Sequence, residues 1–148
     1  MKKALLLLFF TATAFLTKAQ VYHPVHWSYA AKRLNKTEAI VLIKADIESP
    51  WHIYSTVQHD GGPIKTSFAF SKPTDYELAG NITEPRPITK YEDAFKMNVL
   101  YFEHSAIFQQ KIKLNTGKTI VKGSVKFMCC NDKQCLAPEV ISFSIPVK

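Results

Sequence analysis

Hydrophobic and polar residues alternate along much of the chain with the period of two that half-buried β-strands show. From Ala39 to Glu48, the side chains of Val41, Ile43, Ala45 and Ile47 share one apolar face. Similar strands are predicted over residues 51–55, 66–70, 106–114, 119–130 and 139–147. Prolines and glycines interrupt residues 73–87, where short edge strands and loops are expected. The pattern of an amphipathic helix is missing, so the sequence predicts an all-β sandwich or barrel.

Residues 1–19 follow a different pattern, which is that of an export signal. Lys2 and Lys3 precede an apolar run from Ala4 to Leu16, and small residues then stand at the positions that signal peptidase reads, up to Ala19. The run is too short to span a bilayer as a helix. We therefore predict a cleaved signal peptide over residues 1–19 and a single exported domain over residues 20–148.

The charge and hydropathy of the remaining chain exclude two classes of partner. The formal net charge is +7, and three of the lysines leave with the predicted signal peptide. The other lysines are scattered, without the basic stripe and interleaved aromatic residues of a nucleic-acid-binding surface. After residue 19, the sequence has no stretch apolar enough to cross a bilayer. Neither nucleic-acid binding nor stable membrane insertion is expected.

Three cysteines lie close together near the end of the chain, at positions 129, 130 and 135. Cys129 shares its strand parity with Val125 and Phe127, so we expect it to be buried as a small hydrophobic residue. Cys130 has the opposite parity and should point outward, or toward a groove, at the strand end. Residues 131–134 form a polar turn, and Cys130 and Cys135 on its two sides can meet the distance that a disulfide requires.

A disulfide across so short a loop stabilises the fold little and is of the kind that a partner thiolate can attack. Lys126 and Lys133 favour the thiolate form, and Asp132 opposes it. From the residues alone, several alternatives remain: a structural hairpin disulfide in a secreted binding module, a strained Cys129–Cys130 bond, or a Cu(I) carrier that uses Met128 with the cysteines. Zinc is less favoured because no second Cys/His pair has the right spacing. In the thiol–disulfide interpretation, no cofactor is expected, because the disulfide itself is the redox-active group.

Several segments together carry a resemblance to a known family. They are Trp51-His52-Ile53-Tyr54-Ser55, Gly61-Gly62-Pro63, Phe68-Ala69-Phe70 and the stretch 123–140, GSVKFMCCNDKQCLAPEV. With these segments the chain resembles the N-terminal periplasmic domain of the DsbD-type thiol:disulfide interchange protein. The resemblance implies an immunoglobulin-like β-sandwich whose redox-active pair, Cys130 and Cys135, lies on a hairpin. Cys129 departs from the family pattern, which usually has another small or apolar residue there.

The resemblance also implies roles for residues elsewhere in the chain. A loop with acidic and aromatic residues is expected to cover the disulfide and open for partners, with Phe95 as its lid. The predicted cap residues are Tyr91, Glu92, Asp93 and Phe95. His52 and Tyr54 match positions that flank the pair, although solvent-facing strand positions are the plainer alternative. Cys135 is expected to be the less exposed cysteine and Cys130 the resolving one.

The resemblance implies a function in thiol–disulfide exchange in the periplasm, with a protein-disulfide reductase activity if the protein is an enzyme. Electrons would pass from a thioredoxin-like domain to oxidised periplasmic thiol proteins, in cytochrome c maturation or disulfide isomerisation. Proteins of this type continue into a membrane domain and a thioredoxin-like domain, whereas this sequence ends at Lys148. We therefore expect a monomer that obtains its electrons from a membrane-embedded thiol reductase on another chain.

Overall fold

The computed structural model describes residues 22–72 and 74–148, which form eleven β-strands and no helix. The predicted signal peptide lies outside these residues. The strands are β1 (Val25–Arg33), β2 (Glu38–Ile47), β3 (His52–Tyr54), β4 (Ser67–Phe70), β5 (Tyr76–Leu78), β6 (Ile88–Glu92), β7 (Met97–Glu103), β8 (Ser105–Leu114), β9 (Thr119–Phe127), β10 (Cys129–Cys130) and β11 (Glu139–Val147). The described residues contain no helix long and apolar enough to cross a membrane.

The strands pair antiparallel in three sheets. The first sheet has the order β1-β2-β8-β5, the second β10-β3-β7-β6 and the third β11-β9-β4. Buried and exposed residues alternate strictly along β8, and buried and half-buried residues alternate along β2. Alternation in β9 and β11 shows the same for the third sheet, so the first and third sheets each turn one apolar face inward. The predicted all-β sandwich is confirmed.

The main core lies between the first and third sheets and extends to part of the second. Val41, Ile43 and Phe108 of the first sheet are fully buried, as are Val121 and Val125 of the third. Fully burying side chains of this size contributes about 1.5–3 kcal/mol each before the entropy cost of folding. Because this core draws little on the second sheet, that sheet is free to form a site of its own.

The predicted strand over residues 119–130 is wrong in one respect that matters for the site. The chain leaves the third sheet after Phe127, passes Met128 outside any strand, and joins the second sheet as β10. There, Cys129 and Cys130 pair with Ile53 and His52 of β3. The alternation of residue types cannot reveal such a change, because it is compatible with pairing in either sheet.

Two longer strands were not predicted. In β1, Trp27 and Tyr29 are half-buried and alternate with exposed His26 and Ser28, so the period of two was present but weak. In the second sheet, β7 continues into β8 of the first through His104, whose φ of 62° turns the chain between the sheets. This connection ties the second sheet to the core.

Candidate functional site

The hairpin that carries the cysteines is closed by a disulfide and by its own turn. Cys130 and Cys135 are joined with an S–S distance of 2.03 Å. Between them, Asn131 Oδ1 accepts hydrogen bonds from the backbone N–H groups of Lys133 and Gln134, each at 2.9 Å. The Leu136 N–H donates to the Cys129 carbonyl at 2.9 Å. An Asn side chain commonly holds a turn in this way, so the turn has supports besides the disulfide.

The two bonded cysteines differ in exposure. Cys130 is 2% exposed, whereas Cys135 is exposed. The expectation that Cys135 is the less exposed partner is therefore wrong. Cys130 is buried because β10 lies against β3, while Cys135 follows the turn on the outer arm of the hairpin. A protein that approaches the hairpin meets Cys135 first.

Cys130 belongs to a small apolar cluster that is separate from the main core. This site cluster consists of buried Tyr54, Val99, Tyr101 and Cys130, with half-buried Phe95, Met97 and Met128 packed against it. Cys129 lies instead in the main core and is 1% exposed, as its parity predicts. Burial, assisted by the nearby Glu139 carboxylate, raises the pKa of the Cys129 thiol to about 11. Cys129 is therefore a poor nucleophile at neutral pH.

His52 and Tyr54 form a buried polar network with Glu92 beside the disulfide. His52 Nε2 lies 3.3 Å from the Tyr54 hydroxyl and 3.3 Å from Glu92 Oε1. The Tyr54 hydroxyl donates a hydrogen bond of 3.2 Å to Glu92 Oε2. Only 6% of His52 and none of Tyr54 is exposed, so the solvent-facing alternative for these two residues is wrong.

Burial is the largest cause of the shifted pKa values in this network. It lowers the pKa of His52, an effect that the Glu92 carboxylate opposes. It also raises the pKa of Tyr54, together with the adjacent negative charge of Glu92. The pKa of Tyr101 is likewise raised, mainly by burial. At neutral pH, the network therefore holds an uncharged imidazole and uncharged phenols around one carboxylate.

The cap segment, residues 91–96, runs from the end of β6 to the start of β7, and its Phe95 packs against the site cluster. The Phe95 ring meets the Tyr54 ring edge-on, with their centroids 6.3 Å apart. A tight turn aims Phe95 inward, since its N–H donates to the Glu92 carbonyl at 3.2 Å and Lys96 adopts a positive φ of 54°. Asp93 is exposed and lies 3.4 Å from the Lys96 ammonium. The turn thus places one aromatic ring over the buried network and leaves its acidic tip in solvent.

The cap segment and the hairpin enclose a cleft of about 360 Å³. Seven of the eight predicted cysteine, cap and flanking residues line the cleft: His52, Tyr91, Glu92, Asp93, Phe95, Cys130 and Cys135. The eighth, Tyr54, is fully buried in the site cluster. Tyr91 is 55% exposed at the rim. Lys90 was not predicted from the sequence; its ammonium lies 3.3 Å from the Asp132 carboxylate and so joins the two walls.

The side chains at the site are poorly placed to bind a metal ion. The described part of the chain has no group of three or more His, Cys, Asp and Glu side chains placed to hold one. The soft ligands considered for Cu(I) are divided, because Cys129 lies in the main core and Cys130 in the site cluster. In this form, moreover, the sulfurs of Cys130 and Cys135 are bonded to each other.

Comparisons with solved structures agree on the fold. The DsbD N-terminal domain of Neisseria meningitidis in its reduced form is 16% identical, with a TM-score of 0.51 over 79% of this chain and 82% of that one. A complex between the DsbD and PilB N-terminal domains of the same organism contains a chain that is 12% identical, with a TM-score of 0.52 and 80% of each chain covered. The N-terminal periplasmic domain of ScsB from Proteus mirabilis is 10% identical, with a TM-score of 0.60 over 85% of this chain and 47% of that one.

These likenesses confirm the predicted immunoglobulin-like sandwich. No curated protein matches the sequence significantly. The family model for the N-terminal part of the thiol:disulfide interchange protein DsbD does match, over residues 20–146. Because that match extends over most of the chain, the chain belongs to the family of DsbD N-terminal thiol:disulfide interchange domains.

Proposed function

We propose that this chain is a periplasmic protein that passes electrons through the Cys130–Cys135 pair from a thioredoxin-like donor to oxidised periplasmic thiol proteins. The observation that carries the proposal is the asymmetry of the disulfide, which joins an exposed Cys135 to a buried Cys130 in the cluster that Phe95 packs against. Such a bond offers one sulfur to a docking protein and keeps the other out of solvent.

The exchange proceeds through a mixed disulfide. A donor thiolate attacks the Cys135 sulfur, the Cys130–Cys135 bond breaks, and Cys130 leaves with the electron pair. A second donor thiol then attacks the donor–Cys135 bond and releases this protein in its dithiol form. With a client, the steps run in reverse: Cys135 attacks the client disulfide, and Cys130 resolves the product.

The cap segment gives this reaction its selectivity. Phe95 lies against the site cluster that contains Cys130, so small reagents meet an aromatic ring before they meet the buried sulfur. A docking protein can displace the ring and supply apolar contacts in its place. The complex solved for a DsbD domain with a PilB domain is one example of a protein partner in this family.

The proposal also assigns a compartment and a source of electrons. The predicted signal peptide and the family membership support export to the periplasm. A membrane-embedded thiol reductase, through its thioredoxin-like domain, would supply the electrons. The clients would be disulfide isomerases or the reductants of cytochrome c maturation.

The test is partner trapping with single-cysteine variants of the exported protein. Cys130→Ser keeps the exposed nucleophile without a resolving thiol, so it should accumulate a mixed disulfide with an oxidised thioredoxin-like protein. Cys135→Ser keeps only the buried thiol and should accumulate about tenfold less, because that thiol is shielded. Non-reducing electrophoresis and mass spectrometry of the bridged peptides measure both. A wild-type disulfide that resists reduced thioredoxin-like proteins, even after Phe95→Ala opens the cap, would contradict the proposal.

A further inference from the structure

The buried histidine beside the disulfide has no part in the exchange described so far. In the antiparallel pairing of β10 with β3, Cys130 lies directly opposite His52. Residues opposed in this way project from the same face of the sheet, with Cβ atoms about 4.5–5.5 Å apart. Both residues line the same cleft. His52 is therefore an immediate neighbour of the buried sulfur.

The burial of Cys130 gives a neighbouring histidine a chemical use. A thiolate buried among Tyr54, Val99 and Tyr101 loses the solvation that it would have in water, and its protonated form is favoured. To resolve a mixed disulfide, however, Cys130 must act as a thiolate. The step requires a base that can remove the proton inside the cleft.

We propose that His52 is this base, and that it exchanges a proton with Cys130 in each direction of the reaction. The inference rests on the proposed function, which makes Cys130 the resolving cysteine. When Cys130 attacks Cys135, its proton passes to His52, the Cys130–Cys135 bond forms, and the Cys135–client bond breaks. The client sulfur leaves with the electron pair as a thiolate. In the reverse direction, the imidazolium returns the proton as Cys130 leaves.

The surroundings of His52 suit a base that gains a positive charge. Glu92, from the cap segment, lies 3.3 Å from Nε2 and stabilises the imidazolium once it forms. Before the reaction, burial keeps the imidazole neutral, the form that accepts a proton. The Tyr54 hydroxyl fixes the ring from the same strand, and the Tyr101 ring packs 4.9 Å from it, centroid to centroid.

Other charged groups around His52 are less suited to the role. Glu103 pairs with His52 from β7 but is exposed, as are Lys90 of β6 and Asp132 and Lys133 of the turn. Glu103 and Asp132 raise the pKa of His52, and Lys90 lowers it, each to a smaller extent than burial does. Tyr54 and Tyr101 have raised pKa values and stay protonated. His52 is thus the buried group beside Cys130 that can accept a proton at neutral pH.

The experiment follows the resolving step without a protein partner. The reduced protein, with Cys129→Ala to remove the third thiol, reacts with the chromogenic aromatic disulfide DTNB. The first equivalent of coloured thiolate reports attack by Cys135, and the second, whose rate is independent of reagent concentration, reports resolution by Cys130. His52→Gln keeps a hydrogen-bonding side chain and removes the base. The control is His26→Gln, which alters an exposed histidine paired with Glu48 at 2.8 Å.

We expect His52→Gln to slow the second phase by about 100-fold near pH 7, the usual contribution of a general base. In His52→Gln, the rate of the second phase should rise about tenfold per pH unit, because hydroxide must form the thiolate. In the wild type, the rate of the second phase should be flat above about pH 7 and fall in acid. His26→Gln should match the wild type. A second phase in His52→Gln with wild-type rate and pH profile overturns the proposal.

A second variant keeps the test decisive if His52→Gln does not fold. Glu92→Gln preserves the hydrogen-bonding shape and removes the charge that raises the pKa of His52. In Glu92→Gln, the decrease of the second-phase rate in acid should therefore occur at lower pH than in the wild type. An unchanged pH profile overturns the proposal. A protein that resolves the aromatic disulfide in this way, yet does not react with thioredoxin-like proteins, would contradict the proposed function and leave the role of His52 intact.

Discussion

Two cysteines that are neighbours in sequence have different chemical environments. Cys129 packs in the main core and Cys130 in the site cluster, because successive side chains of a strand point to opposite faces. The strand β10 thus places a free thiol in the main core and a disulfide-bonded sulfur at the cleft, on two consecutive residues. A free thiol this close to a disulfide could exchange with it, and the burial of Cys129 opposes that reaction.

The raised pKa of Cys129 predicts a specific dependence of stability on pH. The folded protein favours the protonated thiol, since the pKa rises from 9.0 to about 11. The stabilising contribution is therefore fully present below the unfolded pKa and is lost as the pH rises toward the folded one. The expected loss is about 2–3 kcal/mol.

The measurement compares urea unfolding of Cys130→Ser plus Cys135→Ser with the same protein carrying Cys129→Ala. The shared serines prevent disulfide exchange in alkali, and the raised tyrosine pKa values affect both proteins alike. The difference in the free energy of unfolding should shrink as the pH rises through this range. A constant difference would show that Cys129 does not experience the burial described here.

Individual residues also show how far the sequence could predict the site. Parity alone placed Cys129 in the core, and the family resemblance pointed to His52, Tyr54 and Phe95. That Cys130 lies opposite His52 could not be predicted, because the contact depends on pairing between β10 and β3, which are far apart in the sequence. Cys135 was wrongly expected to be the less exposed cysteine for the same reason, since the second sheet buries only the other arm of the hairpin.

At the scale of elements, the site consists of two short segments fixed to one sheet. The hairpin is anchored through β10, which is two residues long and pairs with β3. The cap is anchored through β6, an edge strand beside β7. The Lys90–Asp132 ion pair that joins them is exposed, and pairs of this kind contribute about 0–1 kcal/mol. The restraints that hold the cap over the site cluster are therefore the apolar contacts of Phe95 and the contacts of Glu92 with His52 and Tyr54.

Removing the Phe95 ring should open the cleft. We expect Phe95→Ala to raise about tenfold the rate at which dithiothreitol reduces the disulfide. This increase corresponds to a loss of about 1.4 kcal/mol from the free energy that favours the closed cap over the open one. The rate is measured by quenching with an alkylating reagent and weighing the product. The matched control is Phe70→Ala, which removes a half-buried ring that meets the Phe143 ring edge-on, with centroids 5.6 Å apart, in the third sheet. Equal rates in Phe95→Ala and the wild type would exclude a lid role for the ring.

At the scale of the whole molecule, the fold and the disulfide are largely independent. The main core lies mostly between the first and third sheets, whereas Cys130 belongs to the site cluster. The bond closes a loop with a sequence separation of 5, and the hydrogen bonds of Asn131 also hold the turn. A carrier of electrons needs this separation, since it must remain folded in both redox states.

Reduction of the disulfide should therefore leave the protein folded at a modest cost. A loop this short contributes about 2 kcal/mol by chain entropy, equivalent to a fall of about 4–8 °C in Tm for a domain of this size. Calorimetry of the oxidised protein against the dithiol form measures the difference. For comparison, Phe108→Ala in the main core should cost about 3–5 kcal/mol with the disulfide intact. A reduced protein less stable than Phe108→Ala would mean that the bond is a structural staple, because a fold that depends on its disulfide cannot give up that bond in every cycle of exchange.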